Sequence, residues 1–210
     1  GGKLNDKNLG TWGDIGTYSF DFAKTMTTGE GGMIIFKDKK HYQKAAAWHD
    51  HGHENNPNFP RWEDSRSSSG FNFRMMELQG AIGLAQLKKL NIVIQRQREI
   101  SSEIWESIKD INGVERREII PNAFHTADAF IFFLPNKENA SSCRTKLLEN
   151  GLTTKILPEA FTWHFAGTWN HISQLNYSHE NKLELDFRFS RELLSRAVSL
   201  PINYFFDYSN

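Results

Sequence analysis

The chain has one cysteine, Cys143, in 210 residues. A single thiol cannot close an internal disulfide, so no covalent framework supports the fold and a reducing compartment is expected. Net charge is missing too: 25 Lys and Arg stand against 25 Asp and Glu. That balance provides no overall field to draw in nucleic acid or an anionic membrane, and neither is expected as a partner. No apolar run approaches the roughly 18 residues needed to cross a bilayer, and no signal-peptide pattern opens the sequence. The expected location is therefore cytoplasmic. Internal repeats and low-complexity tracts are also absent. What is present is 39% hydrophobic and 13% aromatic residues, including 16 Phe and 6 Trp. That is enough to build a core in one or two domains.

The most informative stretch runs from Thr17 to Met33. Ile15 to Phe20 reads as a short strand, and Met33-Ile34-Ile35-Phe36 as a second. Between them lie a polar loop with one lysine, Lys24, and a turn with Gly29, Gly31 and Gly32. Glycines reach positive φ without a Cβ penalty and let a loop fold tightly beside a bound group. A lysine amine attacks an aldehyde only when neutral, and its ordinary pKa is about 10.4. Two buried flanking strands are expected to help by desolvation. Ser19, at the end of the first strand, has a hydroxyl suited to a phosphate oxygen. An isolated lysine of this kind is usually a surface residue after a strand, followed by an ordinary hairpin.

The wording of two blocks narrows the choice. The first is Ser19-Phe20-x-x-x-Lys24 followed by Thr27-Thr28-Gly29-Glu30-Gly31-Gly32. The second is Gly70-Phe71-Asn72-Phe73-Arg74-Met75-Met76-Glu77-Leu78-Gln79, continuing through Ala81-Ile82-Gly83 to Leu87. In this order they closely resemble the DegT/DnrJ/EryC1/StrS family of pyridoxal-phosphate-dependent sugar aminotransferases. The resemblance is strong from Leu9 to about Gln97 and looser beyond. It implies an α/β PLP-transferase fold of fold type I. Residues 1–90 would form the C-terminal part of the large cofactor-binding domain. Residues 91–210 would supply a linker helix and a small α+β domain.

The same resemblance implies pyridoxal 5'-phosphate as cofactor, with Lys24 as the Schiff-base lysine and Ser19 beside its phosphate. Asn72 would reach the phosphate of the neighbouring subunit's cofactor, which implies a homodimer with a shared active site. The alternative for Asn72 is a turn asparagine in left-handed geometry. The implied substrates are a keto-sugar and an amino donor, with glutamate expected, in cell-surface polysaccharide synthesis. Lysine at position 24 argues against the family's dehydratases, where histidine stands there. Glu30 is expected to orient the loop by hydrogen bonding. Gly1 to Gly10 resembles the hairpin just upstream of the lysine loop, so the chain reads as a fragment. The phosphate-binding turn, the ring-stacking aromatic and the aspartate that pairs with the pyridinium nitrogen cannot be assigned. A truncated, non-catalytic polypeptide is thus an alternative reading.

His49-Asp50-His51-Gly52-His53-Glu54 invites a metal reading, since imidazole and carboxylate bind zinc. The spacing lacks a helical i, i+4 pair and a fourth ligand, so no metal site is expected and a metal hydrolase is the weakest alternative. Within the resemblance, Asp-His-Gly-His is similar to the branch that aminates C8 of a keto-3-deoxy-octulosonate sugar acid. His51, His53 and Arg74 are the candidate substrate contacts. Residues 55–69 read as a long excursion without regular structure, with Arg61 and Arg66 as either oxyanion ligands or exposed solubilising residues.

Helical periodicity follows. Lys39 to Trp48 reads as a short helix, and Met75, Leu78, Ile82 and Ala85 share one apolar face. Ile100, Ile104, Ile108 and Ile111 form a second stripe, on two helices or one long bent one. Beyond Asn112-Gly113, residues 114–120 and 129–134 read as strands, residues 141–150 as a helix stopped at Asn150-Gly151, and residues 153–157 as a third strand. Residues 161–169 are crowded with aromatics, and residues 181–195 read as an amphipathic helix.

Overall fold

The computed structural model describes residues 1–154, 165–169, 171–172 and 187–203. They divide into two units. The first contains Gly1–Val93 with Pro121–His125, and the second Ile94–Ile120 with Thr126–Asn210.

In the first unit, β1 (Lys3–Leu4) and β2 (Lys7–Asn8) make an antiparallel hairpin. Asn5 and Asp6 both take positive φ, 47° and 60°, as a two-residue primed turn requires. The other edge of β1 pairs with β6 (Ala123–Phe124), so Lys3 lies opposite Phe124. Strands β3 (Ile15–Ser19) and β4 (Gly32–Phe36) are antiparallel, with Ile15 opposite Phe36 and Ser19 opposite Gly32. Helix α1 (Lys39–His49) starts at Asp38, whose carboxylate accepts from the backbone N–H groups of Lys40 and His41 at 2.6 and 3.1 Å. Such a cap satisfies amides that have no partner inside the helix.

Helix α2 (Glu77–Ile108) is one continuous element of 32 residues, about 48 Å long at 1.5 Å per residue. It begins in the first unit and ends in the second. Its apolar faces have different fates. Leu78, Leu84 and Leu87 are 68%, 65% and 54% exposed, whereas Ile94 and Ile100 are buried. Periodicity had placed Met75, Leu78, Ile82 and Ala85 on a common face. No described element covers that face, because a period identifies which residues share a side and not what meets it.

The second unit is built on a three-stranded antiparallel sheet ordered β5-β7-β8, where β5 is Glu115–Arg116, β7 is Ala129–Phe133 and β8 is Ala197–Pro201. Helix α3 (Lys137–Glu149) is capped by Asn136, which accepts from Asn139 N–H at 2.8 Å, and Gly151 follows it at φ 79°. Helix α4 covers Arg188–Ser195. The core joins Ile100 of α2, Phe130 and Phe132 of β7, Ala140 of α3, and Val198 and Ile202.

Two sequence expectations change here. The strand expected over residues 114–120 shrinks to β5. The third strand is β8 rather than residues 153–157; Thr153 and Thr154 lie in no strand, and 155–157 fall outside the described residues. A short Ala-Val-Ser-Leu-Pro segment carries little strand signal, and Pro201 is tolerated because it ends the strand. Of the helix expected over 181–195, only α4 lies among described residues. Of the aromatic-rich stretch 161–169, residues 161–164 lie outside them, and Phe165 is buried.

Candidate functional site

The lysine loop hangs between β3 and β4 on backbone bonds. Phe20 N–H donates to Gly31 O at 2.8 Å, and Thr28 N–H donates to Phe20 O at 3.0 Å. Within the loop, Asp21 Oδ1 accepts from Ala23 N–H at 2.9 Å, and Lys24 N–H donates to Asp21 O at 3.0 Å. Lys24 is exposed, and its ammonium makes no hydrogen bond or ion pair with any described residue. The expected shelter between two buried strands is not found: β3 buries only Gly16, and no residue of β4 is buried. Ser19 Oγ accepts from Asp21 N–H at 3.3 Å, which leaves its own proton free to be donated outward. Glu30 does shape the loop, but through its backbone carbonyl, which accepts from Thr28 Oγ1 at 2.7 Å.

A second centre forms where the chain returns from α1. Asp50 pairs with Asn72 in an isolated antiparallel bridge, and the backbone N–H groups of Phe71 and Phe73 donate to Trp48 O and His49 O. Asn72 is absent from the positive-φ residues, so the left-handed alternative does not apply. Asp50 is 4% exposed. Its two oxygens accept from Arg61 Nη1 and Nη2 at 2.9 and 2.6 Å, and Arg74 Nε lies 3.3 Å away. The Arg61 guanidinium, bonded end-on to Asp50 through both terminal nitrogens, holds its carboxyl well below the usual carboxylate range, against the opposing effect of burial. Arg61 is thereby a loop fastener and neither a free oxyanion ligand nor a solubilising residue.

Asn72 Oδ1 accepts from Arg74 Nε at 3.0 Å. That bond turns the Asn72 amide so that its NH2 group is uncommitted, and leaves the terminal edge of Arg74 uncommitted as well. His51 takes φ 56° and donates its backbone N–H to Phe71 O at 3.0 Å, with an exposed ring. His53 is directed inward. Its Nδ1 is 3.4 Å from Asp64 Oδ2, its Nε2 is 3.4 Å from Arg66, and its side chain is 8% exposed. Asp64 also accepts from the N–H groups of Asn55 and Asn56, and these bonds lower its carboxyl pKa. The stretch 55–69 holds no helix or strand, as expected, and within it Asp50 ties down Arg61 while Asp64 ties down the backbone of Asn55 and Asn56. No spacing rule links Asp50 to a partner 11 residues away, so its role had no local signature.

No hydrogen bond joins the Ser19–Lys24 loop to Asn72 or Arg74. An apolar groove of about 700 Å3 lies in the same unit, lined by Tyr18, Ile34, Tyr42, Trp48, Phe73 and Met75, and neither Ser19 nor Lys24 lines it. Among the described residues no group of three or more His, Cys, Asp or Glu side chains is gathered as a metal-binding set. No described helix is long and apolar enough to cross a membrane. Four donors at the two centres are uncommitted: the Ser19 hydroxyl, the Lys24 amine, the Asn72 NH2 and the terminal nitrogens of Arg74. Such a set suits a phosphorylated aldehyde, with donors for the phosphate and one amine for the carbonyl.

Comparison with known proteins agrees with that chemistry. Residues 1–207 match the sequence profile of the DegT/DnrJ/EryC1/StrS aminotransferase family. GDP-perosamine synthase of Escherichia coli O157:H7 is 33% identical over 155 residues, covering 74% of this chain and 41% of that protein. Helicobacter pylori PseC, an aminotransferase involved in the biosynthesis of pseudaminic acid, superposes with a TM-score of 0.80 at 20% identity, covering 99% of this chain and 53% of its own. The PLP form of Spr1654 from Streptococcus pneumoniae gives 0.79 at 15% identity, covering 99% and 51%. The fold is thus the α/β fold of type I aminotransferases. The chain spans about half the length of these solved relatives.

Proposed function

Because the chain belongs to the DegT/DnrJ/EryC1/StrS aminotransferase family, we propose that it is part of a pyridoxal-phosphate-dependent enzyme that places an amino group on a keto-sugar. The observation that carries this reading is the set of uncommitted donors around Lys24 and Asn72. When bound, the cofactor supplies an aldehyde for a lysine amine and a ring that accepts electrons from the carbon being deprotonated. Lys24 would hold it covalently, and Ser19 would donate its free hydroxyl proton to the phosphate. Once its nitrogen is freed, Lys24 Nζ would act as the base that takes a proton from substrate carbon and, as the conjugate acid, would deliver it to the far end of a 1,3-shift. A lysine here, in place of the histidine of the dehydratases, favours transamination.

Asn72 and Arg74 make no bond to the lysine loop of their own chain, which supports a homodimer in which they serve the neighbouring subunit's site. The planar edge of Arg74 matches a carboxylate or phosphate oxygen pair, and a carboxylate fits the expected donor, glutamate. For the sugar, the perosamine relative favours a nucleotide-linked keto-sugar. The sugar-acid alternative rests on Asp50-His51-Gly52-His53, and here Asp50 is occupied in fastening the loop and the His53 side chain is buried. We place the domain boundary near residue 90, within α2, and the site in the N-terminal part.

The test is to add pyridoxal phosphate, record the near-ultraviolet and visible absorbance, reduce with borohydride and map the adduct. A new band in the wild type, lost in Lys24→Ala, with the adduct on Lys24, is expected. An adduct on another lysine refutes the assignment. Absence of any band at saturating cofactor identifies a non-catalytic polypeptide of the same fold.

A further inference from the structure

Helix α2 begins at Glu77, and its third residue, Gln79, uses both ends of one amide. Its Oε1 accepts from Met76 N–H at 2.8 Å, the glutamine half of a capping box. Its Nε2 donates to the carbonyl of Glu30 at 2.7 Å, across 49 residues of sequence. With Oε1 committed to an N–H donor, Nε2 is the atom left to face the carbonyl, so each contact fixes the other.

Glu30 sits in the glycine turn that closes the lysine loop, and the same carbonyl accepts from Thr28 Oγ1. Thr28 is 4% exposed, and its backbone N–H bonds Phe20 O. Thr27 Oγ1 reaches Phe20 O as well, at 3.2 Å. Residues 20 and 28 flank the segment that holds Lys24. Gly83 lies four residues beyond Gln79, on the same side of α2. A Cβ at Gly83 would lie 3.1 Å from Thr28 Cγ2, closer than ordinary packing allows. A line of bonds and one close approach therefore connect the start of α2 to both ends of the lysine segment.

We propose that Gln79 is a positioning residue for Lys24: its side-chain amide fixes the lysine loop on helix α2, so that the amine is presented in one place. The consequence for catalysis rests on the reading of Lys24 as the cofactor lysine; the clamp itself does not. Asn72 and Arg74 lead directly into the same helix start, so one amide also holds the lysine loop in register with the groups expected to serve the neighbouring subunit.

Gln79→Glu separates the two ends of the clamp. It keeps an oxygen to cap Met76 N–H and replaces the donor facing Glu30 with a second oxygen. Protonation of the new carboxyl restores a donor. Hydrogen–deuterium exchange, followed by mass spectrometry on the chain without cofactor, reads residues 20–32 and the first turns of α2 separately. At pH 7.5 the loop of Gln79→Glu is expected to exchange about five-fold faster than wild type, the factor that goes with one net hydrogen bond. The first turns of α2 stay unchanged. At pH 4, below the ordinary glutamate value of about 4.3, and after correction for intrinsic exchange, the loop returns toward wild type. In Gln79→Ala both regions exchange faster, at both pH values. Unchanged loop exchange in Gln79→Glu, or loop and helix loosening together in it, overturns the proposal. Borohydride trapping then runs alongside: Gln79→Glu is expected to need several-fold more pyridoxal phosphate for half-maximal labelling of Lys24. An adduct missing from wild type too, with the exchange pattern intact, defeats the cofactor reading and leaves the clamp standing.

Discussion

Replacing Gly52 by alanine isolates the packing that seats Asn72. Gly52 has φ 84° and donates its N–H to Ala47 O at 2.7 Å. A Cβ there would penetrate the Ser68 carbonyl, and one on Gly70 would meet the Gly52 nitrogen and the Trp48 carbonyl. The two glycines thus allow two backbone segments to lie in direct contact, and Asn72 is two residues past one of them. Alanine in left-handed geometry costs about 1–2 kcal/mol. Forcing a backbone carbonyl aside adds about 1–3 kcal/mol, for a total of about 2–5 kcal/mol. Gly29→Ala is the matched control, since φ is 83° and nothing lies within 4 Å of its Cβ position. It should cost only the conformational part, about 1–2 kcal/mol. Urea unfolding followed by tryptophan fluorescence measures both. With a slope of about 2 kcal/mol per molar, the midpoint falls by about 1–2.5 M for Gly52→Ala and about 0.5–1 M for Gly29→Ala. Equal losses, or a larger loss at Gly29, would refute the steric argument.

Other predictions concern charge and core. The Asp50 carboxyl is held below its unfolded value of about 3.9. Its contribution is therefore full above about pH 4 and lost as pH falls through the folded value. Urea midpoints should decline more steeply below about pH 4 in wild type than in Asp50→Asn, which starts lower at neutral pH; an unaltered acid limb in the variant contradicts the pairing with Arg61. Ile100 is fully buried in the second unit's core, so Ile100→Ala should destabilise by about 2–5 kcal/mol. Ile92→Ala, 61% exposed on the same helix, should stay within about 0.5 kcal/mol, and comparable losses in calorimetry would show that the core is elsewhere.

Much of this architecture was readable from nearby residues. The start of α1 at Lys39 and the stop at Gly151 were legible because their chemistry acts within four positions, whereas α3 was expected only from residue 141 and starts at Lys137 under an Asn136 cap that went unread. The β3–β4 pair and the stripe of Ile100, Ile104 and Ile108 were legible locally, whereas Ile111, read as the end of the same stripe, lies past the end of α2 and is exposed. Strand β8 was missed because its partner lies 68 residues away, Ile131 against Ser199, and its own five residues hold no alternation. The fastening of the irregular stretch 55–69 had no local signal, because it depends on Asp50 meeting Arg61 and on Asp64 meeting the N–H groups of Asn55 and Asn56, which no turn or helix spacing specifies. The exposure of Lys24 was likewise misjudged, since apolar strands on paper are not buried strands until something covers them.

Two sequence blocks carried the resemblance to the family that residues 1–207 match, and with it the expectation for Lys24, while turns and periodicity gave the order of most elements because they act over a few positions. Three-dimensional closure decided the rest. It turned Arg61 from a free cation into a fastener, directed the Asn72 amide outward, and gave Gln79 two partners that sequence cannot relate. The Arg61 and Gln79 roles arise when groups 11 and 49 residues apart come within about 3 Å, where a hydrogen bond begins to act.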